Sequence, residues 1–89
     1  MALVRKELTV KNKSGLHARP AALFVQIANK FDSRITVTRD EESVNGKSIM
    51  GILMLGAEQG CNIIIEAEGL DADLAMLELE KIITSEEEI

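Results

Sequence analysis

The sequence has no tryptophan or tyrosine, and Phe24 and Phe31 are its only aromatic residues. Nucleic-acid binders of this size stack bases on aromatic rings and carry a basic surface. This chain has few rings and a net charge of −5, so no nucleic-acid partner is expected. It has one cysteine, Cys61, which cannot form an internal disulfide; in an alternating apolar run it reads as a small buried apolar group. A single histidine with no cysteine or histidine neighbour cannot assemble a zinc site, and neither a metal nor a cofactor is expected. Long apolar runs are also missing. The longest, "IMGILMLGA" at 49–57, falls well short of the about 20 residues needed to span a membrane. Charges at positions 5–7 interrupt the start where a secretory signal would be apolar. A soluble, cytoplasmic, monomeric protein with no membrane partner is the expectation.

What is present suffices for one core. A chain of 89 residues with 46% hydrophobic composition reads as a single domain over 1–89, and its core must be aliphatic. Charge is divided unevenly. Residues 1–47 hold nine Lys/Arg and five Asp/Glu, a balance of +4, whereas residues 48–89 hold one and ten, a balance of −9.

Hydrophobic periodicity gives the element order. Residues 3–10 alternate with Val4, Leu8 and Val10 inward; Lys6 breaks that face, which suits an edge or an end. "KNKSG" at 11–15 is a polar loop. From 18 to 31 the spacing of Phe24, Ile27, Ala28 and Phe31 predicts a helix, with Pro20 in its first turn, where no backbone donor is needed. Residues 34–40 alternate with Ile35 and Val37 inward, and the turn-rich "DEESVNG" leaves room for a short strand at Ser43 and Val44. A short helix over 47–56 follows, with Ser48 as N-cap and Gly56 at its end. Residues 61–69 predict a strand with Cys61, Ile63, Ile65 and Ala67 inward. The last helix covers 71–83, with Asp71 as cap and a stripe of Ala72, Ala75, Met76, Leu79, Ile82 and Ile83; residues 83–89 read as a frayed acidic tail. Strands with one bare face and helices with one apolar stripe each predict an α+β open-faced sandwich: a four-stranded antiparallel sheet covered on one face by three helices, βαββαβα.

The lone histidine stands in "GLHARPAA" at 15–22, just before a helix. With His17 as N-cap, the amides of Ala18 and Arg19 are among the donors the helix leaves unpaired, and such an end attracts anions. Arg19 adds a planar donor suited to phosphate oxygens, Gly15 permits a tight turn, and Ser14 offers a hydroxyl. A helix end is worth about 0.3–1 kcal/mol to an exposed charge. That activates an imidazole little, but it favours a phosphoryl group carrying about −1.5 to −2 charge. On spacing alone a lone histidine before a helix is more often a surface cap than a nucleophile, and an arginine in a helix's first turn is ordinarily just solvated.

"GLHARPAA" followed some thirty residues later by "GKSIMGILML" closely resembles the HPr family, the histidine-containing phosphocarriers of the bacterial phosphoenolpyruvate-dependent sugar phosphotransferase system. The likeness runs over roughly residues 3–83. It implies that His17 is phosphorylated on Nδ1 by enzyme I and passes the group to a sugar-specific IIA protein or domain. Arg19 then steadies the phosphate, with Ser14 and Ala18 beside it. Such a protein carries a group and catalyses no turnover of its own. The family's regulatory serine, target of a bifunctional HPr kinase/phosphorylase, maps onto Ser48. The paralogue that lacks the active histidine is excluded because His17 is present. The acidic second half leaves two readings open: the sugar carrier and its nitrogen-regulatory counterpart, which keeps a similar site. A regulatory module read by a kinase, permease or transcriptional regulator is the competing class. Spacing alone assigns Ile49, Met50 and Leu53 to the core, whereas the resemblance implies an exposed docking patch near His17.

Overall fold

The computed structural model describes residues 2–86. Its elements are β1 (Ala2–Thr9), α1 (Ala18–Ala28), β2 (Arg34–Arg39), β3 (Glu42–Asn45), α2 (Ile49–Leu55), β4 (Asn62–Gly69) and α3 (Ala72–Thr84). The strands form one antiparallel sheet in the order β1-β4-β2-β3. Strand β4 is paired on both sides, as its isoleucine-rich run suits. Ile63, Ile65 and Ala67 on β4, with Ile35 and Val37 on β2, point into the core and are buried. The opposite face carries charge in register, Arg5 against Glu66 and Arg34 against Glu68. The three helices share the apolar face: α3 lies over β1 and β4, α2 over β3 and β2, and α1 packs between α3 and α2. This is the open-faced arrangement that the periodicities predict.

The α3 stripe is buried throughout, from Ala72 to Ile83. Helix α3 runs on to Thr84, and the carbonyl of Ile83 accepts from the Lys11 amide at 2.9 Å. Residues 83 and 84 are therefore helix rather than frayed tail; residues 87–89 lie outside the described residues. Helix α1 ends at Ala28, three residues before the predicted end, and Phe31 belongs to a turn. Long-range bonds hold that turn, since the Lys47 ammonium donates to the Phe31 carbonyl at 2.6 Å. Cys61 precedes β4 and is half-exposed rather than buried, its amide donating to the Glu58 carbonyl in a turn. Lys6 is on the helix-covered face, as the pleat requires, and escapes burial because β1 is an edge strand. Its ammonium reaches Glu80 of α3 at 2.7 Å, an exposed pair worth at most about 1 kcal/mol.

Asp71 stands at the N-cap of α3, but its carboxylate makes no capping bond to that helix. It accepts instead from the Ser33 hydroxyl and from the amides of Asp32 (2.9 Å) and Ser33 (3.0 Å), tying α3 to the α1–β2 turn. The Ser33 hydroxyl, and then the Asp32 amide, hold its carboxyl below the ordinary aspartate range. A depressed folded-state value stabilises the fold above the unfolded-state pKa, and the gain disappears as pH falls through the folded value. Asp71→Asn should therefore lower the melting temperature at pH 7. The deficit should begin to close below the unfolded-state value of about 4 and disappear as pH falls through the lower folded-state value. Melting curves of both proteins across this range check it; a deficit independent of pH would show that the carboxylate charge plays no part.

Candidate functional site

The loop before α1 is built from its own turn chemistry and from three backbone anchors. The Asn12 side chain accepts from the Ser14 amide at 3.0 Å, and the Asn12 carbonyl accepts from Gly15 at 3.0 Å. An asparagine two residues before the residue it binds is a recurrent turn former, so "NKS" carries a signal that reading only for chemistry overlooks. Val10 bonds to the 60–61 turn, Lys11 to Ile83, and Leu16 donates to the Ala57 carbonyl at 2.8 Å. Gly15 is required here. Its φ is +66°, and a Cβ would sit 2.6 Å from the Ala57 carbonyl oxygen.

His17 takes the N-cap position of α1, with extended backbone (φ −127°, ψ 160°). Its imidazole makes no capping bond. It is half-exposed between Leu16 and Pro20, both buried, so its neighbours anchor the chain and leave the ring at the surface. Ala18 and Arg19 are exposed, as is Ser14 in the same loop. Ala18 has φ +49°, a left-handed conformation costing an alanine about 1–3 kcal/mol. That strain is sustained by the buried residues on either side. Pro20 has no N–H, so the open donors of the first turn are concentrated at Ala18 and Arg19, beside the imidazole. One histidine, two amides and one guanidinium arise from consecutive residues of a single helix start. Among the described residues no group of three or more His, Cys, Asp or Glu side chains gathers to hold a metal ion.

Ser48 is not part of this cluster. It caps α2, its hydroxyl oxygen accepting from the Gly51 amide at 3.1 Å. The Asn29 side chain, at the C-terminal end of α1, donates to the Lys47 carbonyl at 3.1 Å. The other end of α2 leads into Ala57, which holds Leu16. Ser48 and the Leu16 anchor of the histidine loop thus stand at opposite ends of α2, a helix about 10 Å long for seven residues at 1.5 Å each.

Between them lies an apolar surface. Ile49, Met50 and Leu53 are 40%, 63% and 38% exposed, while Ile52 and Leu55 fill the core. Helical geometry explains the split, because residues 49, 50, 53 and 54 share one arc and 52 and 55 the opposite one. Met54, 75% exposed, extends the surface beyond the three residues that the resemblance implies, although it lies four positions after Met50. Arg39 was equally unheralded; its guanidinium donates to the carbonyls of Leu55 (3.1 Å) and Gly56 (2.9 Å).

Comparison with known proteins places this geometry. The chain is 50% identical over 83% of its length to the HPr-like protein Crh of Halalkalibacterium halodurans, covering 88% of that protein. It is 44% identical over 90% of its length to the phosphocarrier protein HPr of Treponema pallidum, covering 91% of it. Among solved structures, HPr from Thermoanaerobacter tengcongensis superposes with a TM-score of 0.91 at 50% identity, covering 97% of this chain and 99% of that one. Residues 4–85 match the family described as "PTS HPr component phosphorylation site". With the sequence, the fold and the relatives agreeing over nearly its whole length, the chain belongs to the HPr family of phosphocarrier proteins.

Proposed function

We propose that His17 accepts a phosphoryl group from phosphorylated enzyme I and donates it to sugar-specific IIA proteins in the cytoplasm. The observation that carries this reading is the state of His17: it occupies a helix N-cap, yet its imidazole takes no part in capping and stays half-exposed beside open amides. On charging, the Nδ1 lone pair attacks phosphorus, the bond from phosphorus to the donor atom breaks, and its electron pair stays with enzyme I. Discharge reverses these roles with the IIA protein as acceptor. The Arg19 guanidinium and the Ala18 and Arg19 amides hold the phosphoryl oxygens; Ser14 stands beside them. Ile49, Met50 and Leu53 form the docking surface, a methionine allowing one patch to fit several partners. The protein turns over nothing by itself. Ser48 is the substrate of an HPr kinase/phosphorylase.

A second reading is favoured by the 50% identity to Crh, named as HPr-like rather than as the carrier. In it the chain is a regulatory module, or the nitrogen-regulatory counterpart, whose phosphorylation state is read by a permease or transcriptional regulator. One assay separates them. The protein is incubated with phosphoenolpyruvate and enzyme I, acid-labile phosphate on His17 is measured, and sugar IIA proteins are then added. Charging followed by discharge supports the carrier. Charging without discharge to any sugar IIA supports the regulatory role, and no charging at all overturns both uses of His17.

A further inference from the structure

The inward positions of β2 are Ile35, Val37 and then Arg39, a cation where the pleat calls for another apolar side chain. Strand β2 ends at Arg39, and its side chain rises from the sheet's helix-covered face to the last turn of α2. One guanidinium nitrogen, Nη1, donates to both the Leu55 and the Gly56 carbonyls. These belong to the orphan acceptors at a helix C-terminus, where a positive charge is favoured. Gly56 is the left-handed C-cap of α2 (φ +63°), its amide donating to the Leu53 carbonyl. The next carbonyl along the chain is that of Ala57, a fully buried residue, and it accepts from Leu16. Leu16 adjoins His17. Arg39 therefore grips the peptide immediately before the one that anchors the histidine loop, and Gly15 passes close enough to the Ala57 carbonyl that a Cβ there would lie 2.6 Å from its oxygen.

We propose that Arg39 is a positioning residue for His17, holding the loop at its working height through Gly56, Ala57 and Leu16. The proposal rests on the reading of His17 as phosphoryl acceptor. Arg39 touches no reacting atom. Its effect reaches the site through the α2 C-terminus, the end away from Ser48, Ile49 and Met50, with only Leu53 of the docking surface in that last turn. Loosening it should thus impair the geometry of transfer more than docking, and small misplacements of a reacting group are costly in rate.

Arg39→Ala and Arg39→Lys test this by amide hydrogen exchange and by transfer kinetics with enzyme I. In Arg39→Ala the Leu16 amide should exchange at least about tenfold faster, with the Ile65 amide of the central strand unchanged. The saturating transfer rate should fall about fivefold with a smaller change in KM, and Arg39→Lys, which keeps a cationic donor, should recover most of both losses. Unchanged Leu16 exchange in Arg39→Ala would overturn the clamp. Equal acceleration at Leu16 and Ile65 would reduce Arg39 to a contributor to global stability, and faster Leu16 exchange with an unaltered transfer rate would end its positioning role. If the unmodified protein cannot be charged at His17, the transfer half falls with the functional reading. Hydrogen exchange alone then decides whether Arg39 holds the loop.

Discussion

His17→Ala is expected to lose acid-labile phosphorylation by enzyme I completely and to keep its fold. The loss is complete because His17 is the only histidine in the chain, leaving no second imidazole to accept the group. The fold survives because its neighbours do the structural work. Leu16 and Pro20 are buried, and the loop is held by the Leu16–Ala57 bond and the Asn12 turn. Replacing an N-cap that does bond its helix costs about 0.5–2 kcal/mol. The His17 side chain makes no such bond, so its removal should cost no more than the lower part of that range. Phosphate labelling and thermal melting of the same preparation check both halves. Undiminished acid-labile label would reject His17 as the acceptor, and an unfolded variant would reject the division of labour within the loop. Arg19→Ala should behave differently, slowing transfer without abolishing it, since the amides at the helix start remain.

Phosphorylation of Ser48, with Ser48→Asp as a weaker mimic, is expected to slow charging of His17 by at least about tenfold, equivalent to ~1.4 kcal/mol. Direct repulsion between the two sites is too weak for this. Across the roughly 10 Å length of α2, two unit charges in water interact by about 0.4 kcal/mol. Salt, with a screening length near 8 Å, cuts that to about a third, so two dianions repel by only about 0.5 kcal/mol. The remainder must come from the surface between them. A phosphate on Ser48 would adjoin Ile49 and Met50, and a partner seated there would have to desolvate a dianion. The nearest lysine already has a task, the Lys47 ammonium donating to the Phe31 carbonyl. The helix itself should tolerate the modification, because negative charge at an N-terminus is favourable. The loss should therefore appear in the apparent affinity of enzyme I for this protein, with melting temperature maintained. Equal charging rates for the serine-phosphorylated and unmodified proteins would remove Ser48 as a switch.

Much of this was legible before any fold was known, and the legible parts share a property. Periods of 2 and 3.6 residues, the Ser48 and Gly56 ends of α2, and the placement of His17 ahead of a proline-bearing helix turn are all written within a few consecutive residues. Local sterics and local hydrogen bonds decide them, so neighbouring residues suffice to fix the element order and to seat His17 at a helix start. The tertiary structure decided what depends on which elements become neighbours. Asp71 looks like a helix cap, but Ser33, 38 residues away, competes for its carboxylate. Lys6 breaks an apolar face harmlessly because the β1-β4-β2-β3 order puts it on an edge, within reach of Glu80. Arg39 falls on the inward face of β2 by alternation, and only the placement of α2 supplies the Leu55 and Gly56 carbonyls to which it donates. Whether Ile49, Met50 and Leu53 are core or surface is equally undecided in the sequence, since an apolar helix tells its buried side only once the sheet beneath it has taken Ile52 and Leu55. Burial and long-range pairing are properties of two partners at once, and the second partner is named by the packing, not by the residues on either side in the chain.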